Sequence, residues 1–134
     1  MTRDHTNNQT NNNFTTRLTG VTFTNEESKT SRQDLIKGIL ATHNFEEDVK
    51  KLFLQRESDN KFDVYAVSVH TTPDFSSDKN KIGYIPREKN RSLSESLGRG
   101  DIIDVYATQA FKAFNADVIG LEVRVSSVAA GDKP

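Results

Sequence analysis

Histidine, cysteine and carboxylate side chains hold most protein-bound metals, and their spacing in this chain is unfavourable for that role. The chain has no cysteine, which also excludes disulfides and thiol nucleophiles. His5, His43 and His70 lack the short spacing that places two ligands on one face of an element. The acidic run at 46–48 is typical of a solvent-exposed loop. We therefore expect no metal and no cofactor.

Catalytic side chains are equally hard to find. Ser92, Ser94 and Ser96 lie in a predicted helix without a motif that would activate a nucleophile. There is no glycine-rich phosphate loop, and Asp63 has no carboxylate partner nearby in the sequence. The residue types therefore predict a protein that is not an enzyme.

Two short stretches combine aromatic, acidic and basic residues as a binding cleft does. In RESDNKFDVYAVSV, at 56–69, Phe62 and Asp63 follow a polar turn at the mouth of a strand. The aromatic ring there can instead cap the core, and the carboxylate can instead fix the turn by accepting backbone hydrogen bonds. In KIGYIPRE, at 81–88, Gly83 permits close backbone approach, and Arg87 follows Pro86 at a helix start.

The charge of the chain is locally uneven. Its formal net charge is −1, so overall electrostatics do not favour DNA or an anionic membrane. Residues 78–100 nevertheless carry six basic against three acidic residues, a local balance of +3. This segment is either an ordinary solvated helix and loop or a basic patch.

Period-two alternation predicts strands along most of the chain. We expect them at 18–23, 49–56, 64–70, 82–85, 102–111 and 118–128. The last has the clearest pattern, with one apolar and one polar face. The apolar phase consists of Ile119, Leu121, Val123 and Val125.

Two segments follow helical spacing instead. Ser31 and Asp34 resemble a capping box before a helix at 31–43, whose apolar stripe is Leu35, Ile36, Ile39 and Leu40. A second helix is predicted at 87–97, with Gly98 and Gly100 placed to end it. The fold class is mainly β with two helices, as a small OB-like β-barrel of five to six strands.

The two ends differ from the middle of the chain. Residues 1–13 are Asn- and Thr-rich with almost nothing apolar, which predicts a disordered arm before a single domain at 14–128 and a flexible tail at 129–134. No apolar run approaches the length of a membrane helix, and no signal peptide is evident. We expect a soluble, cytoplasmic protein without membrane contact.

The order of these stretches resembles the HIRAN domain family. GVTF at 20–23 precedes a match to N-x-[FY]-D-x-x-A-[IV]-x-V at 60–69 and to G-Y-[IL]-P-[RK]-E at 83–88, followed by a leucine-containing helix that ends in glycine. The resemblance spans about 18–126. HIRAN domains occur at the amino terminus of a helicase-like transcription factor and as stand-alone bacterial or phage modules.

The resemblance implies an OB-like barrel that captures the 3′-hydroxyl end of single-stranded DNA, in DNA repair or at replication forks. By position, Phe23 and Phe62 would stack on terminal bases and Asp63 would accept a hydrogen bond from the hydroxyl. Arg87 would contact phosphate. Thr22 stands where the DNA-binding example has arginine, which predicts weak phosphate affinity.

Two function hypotheses follow. The first is a single-stranded DNA-binding module in which Lys81 and Lys89 add phosphate contacts to those above, with Phe111 or Phe114 as a further pocket wall. The second is a non-catalytic adaptor that binds a protein partner through the same cleft or a barrel edge. If DNA is the ligand, the basic residues of 79–99 should converge on the cleft formed by Phe62 and Asp63.

Overall fold

The computed structural model describes residues 11–112 and 117–129, which contain six strands and two helices. The strands are β1 (Asn11–Arg17), β2 (Lys50–Arg56), β3 (Val67–His70), β4 (Lys81–Tyr84), β5 (Ile102–Lys112) and β6 (Ile119–Val128). The helices are α1 (Arg32–Thr42) and α2 (Arg87–Arg99). The class predicted from the sequence, mainly β with two helices, is confirmed.

The six strands form one antiparallel sheet that curls into a half-barrel. Their order is β1-β6-β5-β2-β3-β4, so β1 and β4 are the two edges. Just after β1, Thr19 meets Tyr84 at the end of β4 in an isolated bridge. Each amide donates to the other residue's carbonyl over 2.9 Å. This bridge joins the two edges of the sheet at one point.

Alternation along β5 and β6 places one face of the sheet in the core. In β6, Leu121, Val123 and Val125 are fully buried, as the sequence predicts. Val105 and Ala107 face them from β5. Burial of these apolar side chains is the main driving force for the curled sheet.

Helix α1 is held at its start and along its length. Ser31 is the N-cap, and its hydroxyl accepts from the Asp34 amide over 3.1 Å, which confirms the predicted capping interaction. Ile36 and Ile39 are buried, whereas Leu40 is exposed. Gln33 accepts from the Ile119 amide over 2.7 Å and so connects the helix to β6.

Helix α2 extends two residues beyond its predicted end. Gly100, at φ 81°, adopts the left-handed conformation that ends the helix, and its amide donates to the Leu97 carbonyl over 3.1 Å. Leu93 is the fully buried apolar residue that anchors α2 to the core. The opposite side of the helix is left in solvent with its charged residues.

The first predicted strand is wrong. Residues 18–23 form the bridge at Thr19 and a turn, while β1 lies earlier, at Asn11–Arg17. Asn11 to Asn13, the last three residues of the predicted arm, pair with Ser126 to Val128 of β6. Residues 1–10 of the predicted arm and 130–134 of the predicted tail lie outside the described residues. β3 begins at Val67, three residues after the predicted start.

Candidate nucleic-acid interface

A groove of about 830 Å³ lies between the segment after β1, the turn before β3 and the start of α2. Four of the six residues predicted as a DNA site line it: Phe23, Phe62, Asp63 and Arg87. The structure therefore brings together residues that are far apart in the sequence. Phe23 and Arg87, for example, are separated by 64 positions. The other two, Lys81 and Lys89, are not among the residues that line this groove.

The turn at 60–65 fixes the positions of Phe62 and Asp63. Asn60 Oδ1 accepts from the amides of Phe62 and Asp63, over 2.8 and 3.1 Å. Asp63 Oδ1 in turn accepts from the Tyr65 amide over 2.9 Å. These side chain to backbone bonds are the Asx-type interactions that define a rigid turn. As a result Phe62 projects outward with 88 % of its surface exposed.

The second oxygen of Asp63 faces α2. Oδ2 accepts from Asn90 Nδ2 over 2.7 Å and lies 3.4 Å from Arg87 Nε. The Asn90 hydrogen bond, the Tyr65 amide and Arg87 together hold the pKa of Asp63 below its usual value. Its side chain remains 17 % exposed. A carboxylate has about four acceptor sites, so Asp63 keeps capacity for a further donor in the groove.

Arg87, the first residue of α2, connects this helix to the turn at 60–65. Its Nη2 donates to the Phe62 carbonyl over 2.9 Å, while its side chain is 77 % exposed. The hydrogen bond to Phe62 fixes the position of the guanidinium, and its remaining donors are available to the groove. A planar group with several donors suits phosphate recognition.

Phe23 also lines the groove, with 65 % of its surface exposed. Gly20, at φ 68°, allows the turn that precedes Phe23. Beneath this turn Arg32 donates to the Gly20 carbonyl and to Asn25 Oδ1, each over 2.7 Å. Burial lowers the pKa of Arg32, against the opposing effects of Tyr84 and acidic neighbours.

Arg32 is a groove residue that sequence reasoning missed. It occupies the first position of an amphipathic helix, where a basic residue is usually exposed. Instead, its Cζ lies 5.9 Å from the centre of the Phe23 ring and 5.4 Å from that of Tyr84. The arginine therefore supports the groove from below through two aromatic rings.

Tyr84 lines the groove and is fixed by two charged residues behind it. Its hydroxyl donates to Glu57 Oε1 over 2.8 Å and accepts from Lys81 Nζ over 2.9 Å, while Lys81 also pairs with Glu57 Oε2 at 2.7 Å. Burial opposes both charges, yet the hydrogen bonds keep the pKa of Glu57 lowered and that of Lys81 raised. Lys81 is thus engaged behind the groove.

Of the basic residues of 79–99, Arg87 alone lines the groove, so the segment does not converge on it. Lys89 Nζ lies 5.5 Å from the centre of the Phe14 ring. Lys79 pairs with Asp74, and Arg99 pairs with Asp101. Of the residues predicted as a further wall, Phe111 stacks with Arg17 at 3.8 Å and does not line the groove, whereas Phe114 lies outside the described residues.

The described part of the chain holds no cluster of three histidine, cysteine, aspartate or glutamate residues suited to a metal ion. His70 is buried in β3, His43 packs edge-to-face against Phe45, and His5 lies outside the described residues. No described helix combines the length and the apolar character that crossing a membrane requires.

Comparisons with known proteins identify the fold and the family of the chain. The fold is similar to the crystal structure of a structural-genomics target from Lactobacillus plantarum, with a TM-score of 0.58 over 89 % of this chain and 98 % of that chain. Sequence identity is 20 %, so this likeness concerns the fold alone. No curated protein matches the chain. The model of the HIRAN domain matches residues 12–127, nearly the whole chain. The chain therefore belongs to the HIRAN domain family, whose members are DNA-binding modules and are generally non-catalytic.

Proposed function

We propose that this HIRAN domain binds the 3′-hydroxyl end of single-stranded DNA, in DNA repair or at replication forks. The observation that carries the proposal is the position of Asp63 in the groove. Two exposed aromatic rings, Phe23 and Phe62, line the same groove as a carboxylate that is held in place by three donors. Stacking holds the base, and the carboxylate identifies the end of the strand.

The chemistry of Asp63 favours a hydroxyl over a phosphate. A terminal hydroxyl donates a hydrogen bond, and a bond to a charged acceptor is stronger than one between neutral groups. A terminal phosphate has only acceptor oxygens and adds negative charge beside the carboxylate. Because the pKa of Asp63 is lowered, the carboxylate keeps its charge at neutral pH. Asp63 thus attracts a terminal hydroxyl and repels a terminal phosphate.

The phosphate groups of the strand meet few cations here. We assign the phosphate contact to Arg87, with Arg32 beneath the groove as the second positive charge. Lys81 acts as a positioning residue, since its ammonium holds the Tyr84 hydroxyl and Glu57. Lys89 contributes only long-range charge from outside the groove. Stacking on Phe23 and Phe62 then supplies most of the affinity, at about 1–3 kcal/mol per base.

Fluorescence anisotropy with a labelled short strand tests the proposal. The strand is used with a free 3′-hydroxyl or with a 3′-phosphate, at two salt concentrations, against wild type, Asp63→Ala and Asp63→Asn. We expect wild type to prefer the hydroxyl end and Asp63→Ala to lose that preference. Asp63→Asn removes the charge with little change in shape, so it should bind the phosphate end better than wild type does.

Asp59→Asn is the matched control, because Asp59 is an exposed carboxylate just before the same turn and does not line the groove. Its preference should equal that of wild type. Equal affinity of wild type for both ends would contradict end recognition. Absence of binding to either strand at low salt would contradict single-stranded DNA as the ligand.

The scatter of basic residues around 79–99 favours a second candidate function. A groove with two exposed phenylalanines, two arginines and two carboxylates also suits a peptide of mixed charge. In that case the domain is an adaptor for a protein partner. The same titration separates the two functions, since an adaptor has no salt-dependent affinity for single strands.

A further inference from the structure

A second pair of an aromatic ring and an arginine lies beside the groove. The guanidinium carbon of Arg91 is 5.0 Å from the centre of the Tyr65 ring. The Arg91 side chain is 70 % exposed, and Tyr65 is half-buried. Neither residue lines the groove itself. The pair is therefore a separate surface feature, outside the site described above.

The position of this pair is set by the same turn and the same helix as the groove. Tyr65 lies two residues after Asp63, and its amide donates to Asp63 Oδ1. This hydrogen bond ties Tyr65 to the turn that holds the carboxylate. Arg91 follows Arg87 by four residues in α2, which places both on one side of the helix about 6 Å apart along its axis. That rise is similar to the distance between successive phosphates of an extended single strand.

Arg91 is free to change its partner at little cost. Besides the Tyr65 ring, it contacts Glu95 in an exposed ion pair, at 3.6 Å in an i,i+4 arrangement. Exposed pairs of this kind contribute little to stability. A phosphate can replace Glu95 at the guanidinium, while the Tyr65 ring beneath it keeps the arginine in place.

We propose that Tyr65 and Arg91 form a second subsite for the same DNA strand, which rests on the function proposed above. With the 3′ end at Asp63, the strand leaves the groove in its 5′ direction past Arg87 and then Arg91. The Tyr65 ring supports the guanidinium of Arg91, and Arg91 contacts a phosphate of an internal nucleotide. The subsite increases the affinity for longer strands and does not contribute to recognition of the 3′ end.

The test is a titration of strands that differ only in length, from a thymidine dinucleotide to a dodecamer, all with a free 3′-hydroxyl. Wild type should bind the dodecamer more tightly than the dinucleotide. Arg91→Ala and Tyr65→Ala should weaken dodecamer binding about five-fold or more and leave dinucleotide binding unchanged. Arg91→Ala should also reduce the salt slope for the dodecamer by about 0.7, the contribution of one phosphate contact on a single strand.

Two variants control for charge and for folding. Arg124→Ala removes an equal charge from an exposed position on the outer face of β6 and should leave the dependence on length intact. Tyr65→Phe keeps the ring and should bind like wild type, which separates the support that the ring gives Arg91 from any loss of structure in Tyr65→Ala.

The outcomes distinguish this subsite from the groove. Equal affinity of wild type for all lengths, or equal weakening of all lengths by Arg91→Ala, would overturn the subsite while leaving end recognition at Asp63 in place. If wild type bound none of the strands, both the subsite and end recognition at Asp63 would be overturned. A dependence on length that persists in Asp63→Ala, together with loss of hydroxyl preference, would support the subsite independently of the end.

Discussion

Asp63 holds the turn in which it lies and also faces the groove, and its two oxygens divide these tasks. Oδ1 accepts from the Tyr65 amide, which is the structural role that an aspartate at a strand mouth often has. Oδ2 is directed by Asn90 and Arg87 toward the groove. The structural and the ligand-binding interpretations of this residue are therefore compatible, because the first pre-organises the second.

Phe62 offers a test in which binding and stability separate. Its ring is almost fully exposed, so Phe62→Ala should change the free energy of unfolding by no more than about 0.5 kcal/mol. Loss of a stacked base should weaken strand binding by about 1–3 kcal/mol. Denaturant titration and anisotropy measure the two effects. Val64→Ala, at a nearby exposed position, serves as control, and a Phe62→Ala variant that binds as tightly as wild type would contradict stacking there.

His70 makes stability depend on pH in a defined window. Burial lowers its pKa to about 4, and Nδ1 has no hydrogen-bond partner among the described residues. In the unfolded chain a histidine has a pKa of about 6.5. Between pH 6.5 and 4 the unfolded chain therefore binds a proton at this histidine, whereas the folded chain leaves it neutral. The free energy of unfolding should thus fall as pH decreases from 6.5 to 4, by up to roughly 3 kcal/mol.

Denaturant titrations across that window measure this slope. Glu57, Asp63 and Asp78, whose pKa values are lowered, lose their stabilising contribution only below the usual carboxylate range of about 4. His70→Gln removes the titrating group and should flatten the curve between pH 6.5 and 4, even if the variant is less stable at neutral pH. An unchanged slope in His70→Gln would show that another group is responsible.

At the scale of elements, hydrophobic alternation determines how much of the fold was predictable. β6 has a strict period of two and was predicted almost to its ends, since one face is core and the other is solvated. β1 was missed because Asn11 to Asn13 have polar side chains and low strand propensity, and only backbone pairing with β6 makes them a strand. Tertiary pairing of this kind leaves no local signal.

The functional residues were predictable only in part for a similar reason. Phe62, Asp63 and Arg87 belong to short motifs, so their types and spacing indicated a cleft. Lys81 has the same charge as Arg87, but strand β4 turns it toward Glu57, behind the groove. Arg32 and Asn90 reach the groove through helix packing, which no sequence spacing reveals.

The N-cap of α1 carries a prediction at this scale. Ser31→Ala removes the acceptor of the Asp34 amide and should lower the free energy of unfolding by about 1 kcal/mol. Ser31→Asp keeps an acceptor, so it should remain close to wild type. Chemical denaturation of the three proteins measures the difference. Equal loss in both variants would show that the position, and not the cap, is sensitive.

The half-barrel as a whole depends on close approach at Gly83. A Cβ there would lie 2.8 Å from the Thr19 carbonyl oxygen and 3.2 Å from Val21 Cγ1, so backbone must move. Gly83→Ala should destabilise the domain by about 1–3 kcal/mol and also weaken strand binding, because Tyr84 follows directly and lines the groove. Thermal unfolding and anisotropy check both effects.

Gly38→Ala is the matched control for Gly83→Ala. Gly38 lies within α1, where an added Cβ meets nothing within 4 Å. Alanine is the better helix former, so this variant should be more stable than wild type by about 0.5–1 kcal/mol. A Gly83→Ala variant that behaves like Gly38→Ala would contradict the tight contact between β4 and the segment after β1.

The charge distribution of the molecule predicts a weak response to salt. Among the residues that the structure describes, two basic side chains, Arg32 and Arg87, line the groove. Each phosphate contact on a single strand contributes about −0.7 to the slope of log K against log salt. A dinucleotide has a single phosphodiester group, so it should show a slope no steeper than about −0.7. Anisotropy over a range of salt concentrations measures it, and a much steeper slope would indicate a binding surface elsewhere.

Tyr84 belongs both to the bridge that joins the sheet edges and to the lining of the groove. Opening of the half-barrel at this point and emptying of the groove are consequently coupled equilibria. The amide hydrogens of Thr19 and Tyr84, each donated across the bridge, exchange with solvent when it opens. A ligand in the groove should slow deuterium exchange at this pair of amides more than elsewhere in the sheet, so the two protons report occupancy of the groove without any label on the ligand.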